Sequence, residues 1–164
     1  MSEAGTGIIV RRLTEKDRSK HDELVWELDH AHHTADPTRI RHPNDACVPE
    51  SEYLRRLADP ECFMAGAENE TGLIGFIRAS MIDGTGGRAH HPARYTRIEE
   101  IVVRSDQRRG GAGRALLMAV RDWAKAKGAQ SLELGVYAFN AEALAFYALE
   151  GFNTLSFNLS QPLS

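Results

Sequence analysis

The sequence predicts a single mixed α/β domain, and three observations carry that reading. At 164 residues the chain falls within the ~100–200 residues of one domain. Its composition, 42% hydrophobic and 26% charged, matches that of soluble globular proteins. Its hydrophobic periods succeed one another as β-α-α-β-β-β-α-β-α-β, an order that suits neither a doubly wound sheet nor a sandwich.

Residues 8–13 (IIVRRL) have the short apolar pattern of a strand. Thr14 and Asp17 stand at capping-box spacing ahead of a helix that runs to about His30, with Leu24, Val25 and Leu28 on one face. Residues 31–49 have no apolar period and three prolines, and read as a loop. Ser51 is placed to cap a short helix carrying Tyr53, Leu54 and Leu57. Residues 62–69 and 73–82 form two strands of a hairpin, and 83–95, with three glycines and a proline, a loop. The β-branched run 96–103 suits a central strand. A helix over 112–127 aligns Leu116, Val120 and Trp123 and stops at Gly128. A strand at 130–136, a helix at 140–149 and a last strand at 152–159 complete the order.

Composition excludes several classes. Disorder, collagen and coiled coil do not fit it, and a net charge of −3 argues against a dedicated nucleic-acid binder, which needs a basic surface. Cys47 and Cys62 form no C-x-x-C pair, so neither a disulfide framework nor a structural zinc site is expected, and a reduced, cytoplasmic setting is. Residues 1–13 lack the apolar core of a secretory leader, and no apolar run approaches the ~20 residues of a membrane span. Neither histidine group (His30, His32 and His33; His90 and His91) has the spacing of metal ligands. No metal is expected.

Charge is unevenly spread. Residues 88–127 hold ten Lys+Arg against four Asp+Glu, whereas residues 128–164 hold no basic residue. The basic segment contains RSDQRRGGAGRALL (104–117), a glycine-rich turn opening a helix. Such a turn lets backbone N–H groups converge on one point, and the helix dipole adds partial positive charge, so its natural ligand is a phosphate or diphosphate. Arg108, Arg109 and Arg114 crowd the turn. A Walker loop is excluded because Arg114-Ala115 stands where Lys-Ser/Thr is needed. A dinucleotide fingerprint is excluded because Leu116 occupies the last glycine position and seven residues separate Val103 from Gly111.

The segment Arg108-Arg109-Gly110-Gly111-Ala112-Gly113 resembles the [Q/R]-x-x-G-x-[G/A] signature of the GNAT superfamily of acyl-CoA-dependent N-acyltransferases, and Gln107-x-x-Gly110-x-Ala112 matches one residue earlier. Residues 140–152, NAEALAFYALEGF, resemble the same family's N-x-x-A-x-x-F-Y-x-x-x-G-F element, and IEEIVVRSDQRRGGAG is similar to polyamine and diamine acetyltransferases. The likeness covers 73–159 in detail and 8–72 only in element order.

This resemblance implies the GNAT fold, in which two parallel strands, here 96–103 and 130–136, splay apart and admit the pantetheine arm of acetyl-CoA. The backbone of Ile101, Val102 and Val103 is then expected to pair with pantetheine, and the loop from Arg108 through Arg109, Gly110, Gly111, Ala112 and Gly113 to Arg114 to hold the phosphates. Asn140 matches a cofactor-contact position and is equally a good N-cap. Tyr147 matches the general acid that protonates the departing thiolate, and is otherwise an ordinary aromatic on an amphipathic helix. Glu99 and Glu100 are the candidate bases for the amine proton. Strand alternation sends them to opposite faces, and ion pairs with Arg97 or Arg104 are their alternative role. The region 26–42 lines the acceptor site in the family, which singles out Asp29, His30 and Asp36. The implied activity is acetyl transfer to a primary amine, the alternatives being a peptide N-terminus, a lysine, a longer acyl group or a silent acyl-CoA sensor. Dimers are common among relatives, so a homodimer is expected, with neither nucleic acid nor membrane as partner.

Overall fold

The computed structural model describes residues 7–45 and 47–163. The start of the N-terminus, residues 1–6, for which no secretory leader is expected, and Ala46 of the 31–49 loop lie outside the described residues. The strands are β1 (Ile9–Arg12), β2 (Cys62–Asn69), β3 (Gly72–Gly84), β4 (Ala93–Val103) and β5 (Leu132–Leu134). The helices are α1 (Arg18–Ala35), α2 (Glu50–Ala58), α3 (Ala112–Ala126) and α4 (Ala141–Leu149). The sheet has the order β1-β2-β3-β4-β5, antiparallel through β4 and parallel between β4 and β5. Among the described residues no helix is long and apolar enough to cross a membrane.

Alternation along the strands builds a core on each face of the sheet. On one face Phe63, Ala65, Ile77 and Ala79 meet Leu116, Leu117 and Val120 of α3. On the other, Met64, Leu73, Phe76 and Val102 meet Leu24 of α1 and Tyr53 of α2. His21 is buried between the rings of Tyr53 and Phe76 at 4.9 and 4.6 Å. Desolvation lowers its pKa, so burial holds the imidazole neutral.

Five expectations are corrected. Helix α1 continues five residues past His30, to Ala35. Its last turns are polar because they pack on a loop rather than the core: His32 meets the rings of Tyr137 and Phe139, and His33 Nδ1 lies 2.7 Å from the Ile40 carbonyl. Helix α2 starts at Glu50 with Pro49, not Ser51, at the cap; proline's fixed φ suits a helix start. The 83–95 loop contracts to 85–92, because β3 and β4 extend their pairing to Gly84↔Ala93. The strand at 130–136 shortens to three residues. The strand at 152–159 does not form: the segment has no regular secondary structure, is exposed from Asn153 on, and has no ladder partner among the described residues.

The entry into α1 is held as the sequence implies. The Thr14 N–H and hydroxyl both donate to Asp17 Oδ2, at 2.8 and 3.0 Å. Arg11 of β1 grips the same carboxylate through both terminal nitrogens, at 2.9 and 2.8 Å, and holds its pKa down at about 2. A depressed carboxylate stabilises the fold above its unfolded pKa and loses that contribution as pH falls from about 4 to about 2. Replacing Asp17 by Asn should therefore lower stability near pH 7 by about 1–2 kcal/mol and flatten that acid limb, as urea melts at pH 7, 4 and 3 can measure. An unchanged acid limb in the variant contradicts the assignment.

Candidate functional site

Strands β4 and β5 run together for three residue pairs, Thr96↔Leu132, Arg97↔Glu133 and Ile98↔Leu134, and then part. The parting coincides with an irregularity in β4. On the β3 side, Arg78 pairs with Glu100 while the next residue, Ala79, pairs with Ile98, so Glu99 is the extra residue of a β-bulge. The side chains show the consequence. Ile98 packs toward α3, and beyond the bulge Ile101 and Val103 do so too, while Val102 joins the α1 and α2 core.

A cleft of about 340 Å³ occupies the gap, bounded by α1, β4, β5 and α4. Ile98 to Ile101, Leu134 to Tyr137, Asn140 and Tyr147 line it, and Asp29 and His32 reach it from α1. The bulge overturns the expectation that the two acids face apart, since Glu99 and Glu100 line the same cleft. Neither pairs with Arg97 or Arg104 among the described residues. Glu100 accepts from Arg78 Nε at 2.6 Å, while Glu99 is exposed. Burial, and then the Glu100 charge, raise the pKa of Asp29; burial lowers that of His32.

The glycine-rich turn lies at the start of α3. Gly111 caps the helix with φ 90°, and Arg109 has φ 65°, so the two residues flanking Gly110 take the left-handed region that a tight anion-binding turn uses. The helix begins at Ala112, where the sequence predicts it. Its first intrahelical acceptor is Gly111, bonded by the Ala115 N–H, leaving the N–H groups of Ala112, Gly113 and Arg114 without intrahelical acceptors. Gly113 has a second reason to be glycine: a Cβ there would stand 3.2 Å from Cζ of Phe146 on α4. Arg108 pairs with Glu142 at 3.4 Å, and Arg114 with Glu150 at 3.7 Å. Arg109 is exposed.

Asn140 caps α4, its Oδ1 accepting from the Ala143 N–H at 3.1 Å. Two turns further on, Tyr147 lines the cleft, and burial alone pushes its phenol up to about 12. Two expected acceptor contacts lie elsewhere. His30 stacks on Trp26 at 4.7 Å, and Asp36 ends α1 beside Arg39 at 3.4 Å. The cleft residues missed from the sequence are His32, two positions beyond His30, and Tyr137. The histidine run 30–33 was the signal, but the helix was read as ending before it. Among the described residues, His, Cys, Asp and Glu form no group of three or more placed to hold a metal ion.

The family model described as the acetyltransferase (GNAT) family matches residues 21–152. No curated protein matches the sequence. Among solved structures, a mutant of the BH1408 protein from Bacillus halodurans is 22% identical with a TM-score of 0.89, over 95% of this chain and 99% of that one. An aminoglycoside acetyltransferase from an uncultured soil metagenomic sample, in complex with sisomicin, is 18% identical with a TM-score of 0.69, over 99% and 100% of the two chains. The aminoglycoside 6′-N-acetyltransferase of Acinetobacter baumannii is 16% identical with a TM-score of 0.71, over 96% and 99%. At such identities these likenesses establish the shared fold.

The cap on α4 can be tested apart from any ligand. Asn140→Ala should lower Tm by about 2–4 °C, the loss of about 1 kcal/mol in a domain of this size, and Asn140→Asp should restore it. Equal melting of all three proteins would show that the Asn140 side chain does not hold the helix.

Proposed function

We propose, from the premise that the chain belongs to the GNAT acetyltransferase family, whose members use acetyl-CoA as co-substrate, that it transfers the acetyl group to the nitrogen of a small cationic primary amine. The carrying observation is the parting of β4 from β5 beyond Ile98, beside the unfilled first turn of α3. Strand backbone without a partner strand needs other donors and acceptors. The amides of a pantetheine arm supply them to Ile101, Val102 and Val103, while the diphosphate sits at the Arg108–Arg114 turn. A backbone N–H of β4 then polarises the thioester carbonyl, where negative charge develops.

The roles follow from the cleft. Arg78 occupies Glu100, so Glu99 is the carboxylate we assign to take the amine proton, through water. The amine nitrogen bonds to the carbonyl carbon, the carbon–sulfur bond breaks, and the sulfur leaves with the electron pair and receives the Tyr147 proton. A phenol at about 12 holds its proton more tightly than a thiol of about 8.5 in water. The transfer therefore relies on the buried cleft raising the thiolate's proton affinity as well. Asp29, with Glu99 and Glu100 beside it, favours a cationic acceptor, and Tyr137 and His32 offer it ring faces. The aminoglycoside acetyltransferases of the same fold support this class of acceptor. The reading includes a cytoplasmic location, supported by the free cysteines.

Tyr147→Phe should lower kcat by about 10²-fold or more while leaving the thermal shift produced by acetyl-CoA unchanged. Undiminished turnover would remove Tyr147 as the acid, and an acetyl-CoA shift without turnover on any amine would favour a silent acyl-CoA sensor. Because Tyr147 stays protonated to about pH 12, the wild-type rate should show no falling limb below about pH 11.

Glu99→Gln should lower kcat by about 10²-fold across an amine panel, whereas Glu100→Gln should act mainly on KM. The reverse pattern in steady-state kinetics would transfer the base role to Glu100.

A further inference from the structure

Acetyl transfer to a cationic amine moves more protons than Tyr147 and Glu99 handle between them. An ammonium becomes an amide N–H by losing two protons, the departing sulfur gains one, and each turnover releases one. Tyr147 supplies the sulfur's proton, and Glu99 takes one from the nitrogen after attack, when the positively charged nitrogen beside the new bond is acidic enough for a carboxylate. The other proton must leave before attack, because an ammonium has no lone pair to offer carbon. At pH 8 an amine with lysine's pKa of about 10.4 is neutral in only about 0.4% of molecules. A carboxylate with a pKa near 4 is a poor acceptor for that first proton, whereas an imidazole near 6.5 is a closer match.

Among the described residues the cleft is lined by one imidazole, that of His32. It stands in the last turn of α1, one turn beyond Asp29 on the same helix face, and both are half-buried. Its ring meets Tyr137 at 5.4 Å and 68° and Phe139 at 6.3 Å and 67°, and those two rings stack on each other at 5.0 Å. Ring contacts thus fix the imidazole plane without using its nitrogens. The neighbouring histidines are committed: His33 Nδ1 to the Ile40 carbonyl, His42 Nδ1 to the Asn44 N–H, and His30 against Trp26. Among the described residues no side-chain hydrogen bond engages His32.

Its surroundings suit a base. Burial lowers the His32 pKa against a smaller opposing pull from Asp29, so the ring is neutral at rest near pH 7. A proton gained there is favoured by the Asp29 carboxylate and by the negative end of the α1 dipole. From the other elements, Glu99 and Glu100 of β4, Tyr137 after β5 and Tyr147 of α4 share the cleft with it. Arg78 of β3 is held by Glu100 at 2.6 Å, and Asp36 beyond α1 by Arg39 at 3.4 Å.

We infer, resting on the assigned acetyl transfer, that His32 accepts the first proton, so that the ammonium form of the acceptor is the species the enzyme binds and activates. The amine enters beside Asp29 and gives one proton to a ring nitrogen of His32. The electron pair of the broken N–H bond stays on the amine nitrogen and becomes the pair that bonds to the thioester carbon. The imidazolium then returns its proton to water, which accounts for the one released per turnover. The proton on Glu99 balances the one that Tyr147 must regain.

The test follows thiol release from saturating acetyl-CoA against pH, with an alkylamine of pKa about 10.4 and an amino-acid amide of about 7.7–8.0. With the alkylamine, wild-type kcat/KM should be level from about pH 7 to 9 and fall only below about 6.5, as His32 takes a proton in the free enzyme. His32→Gln should lower the alkylamine value by about 10²-fold at pH 8 and make it climb about tenfold per pH unit, following the neutral amine, while the amide loses far less. A wild-type profile that already climbs in this way would make the neutral amine the substrate, and it decides the matter even should the variant fail to fold. A variant profile that stays level, or an equal loss with both amines, would leave the ring a structural part only. Each of these overturns the inference and leaves acetyl transfer standing. No thiol release with any amine would remove the assigned activity and the inference with it.

Discussion

The site depends on one backbone event, the extra residue at Glu99. Before it, β4 pairs with β3 on one side and β5 on the other; after it, only the β3 side continues. A bulge sharpens the local twist and reverses which face each later side chain meets. Here that reversal has three effects in five residues. Val102 is handed to the α1 and α2 core, Glu99 and Glu100 come to one cleft, and the β5 side of Ile101–Val103 loses its partner strand. A regular strand would have closed the gap and separated the acids.

Helices α3 and α4 close the site because they are locked together. Phe146 lies against the first turn of α3 at a distance only glycine tolerates without displacement. Arg121 donates to the Glu150 carbonyl at 2.6 Å and, with Arg114, flanks its carboxylate. Much of the positive charge in residues 88–127 is thus spent on holding elements together. Arg108 faces Glu142 of α4, Arg114 and Arg121 face Glu150 just past its end, and Arg94 bridges Glu61 and Asp83 at 2.6 Å. Surface pairs of this kind contribute little each. Their effect is to fix where the first turn of α3 points, and so where an anion can approach it.

The legible parts of the fold were those written in local chemistry. Thr14 with Asp17, Gly128 past α3 and Asn140 before α4 each act on backbone within four residues, and each end falls where its residues imply. The motif residues Glu99, Glu100, Asn140 and Tyr147 meet in one cleft. What the sequence did not disclose depends on partners far along the chain. The bulge leaves no mark in T-R-I-E-E-I-V-V, because β-branched residues suit either register. The end of α1 looked like loop because its contacts, Tyr137 and Phe139, lie more than a hundred residues away. The alternation at 152–159 predicts a strand that does not form among the described residues, because alternation states which side chains share a face and not which sheet receives them.

That last distinction links the sheet edge to the cleft. Phe152, the residue before the exposed segment, packs edge-on against Tyr147 at 5.5 Å, and Arg121 stands over the same ring at 6.0 Å. Tyr147 therefore looks into the cleft from a helix whose Leu144 and Leu149 are exposed and whose C-terminal turn leads directly into an exposed segment. The Asn140 cap and the Phe152 contact hold the helix at its two ends.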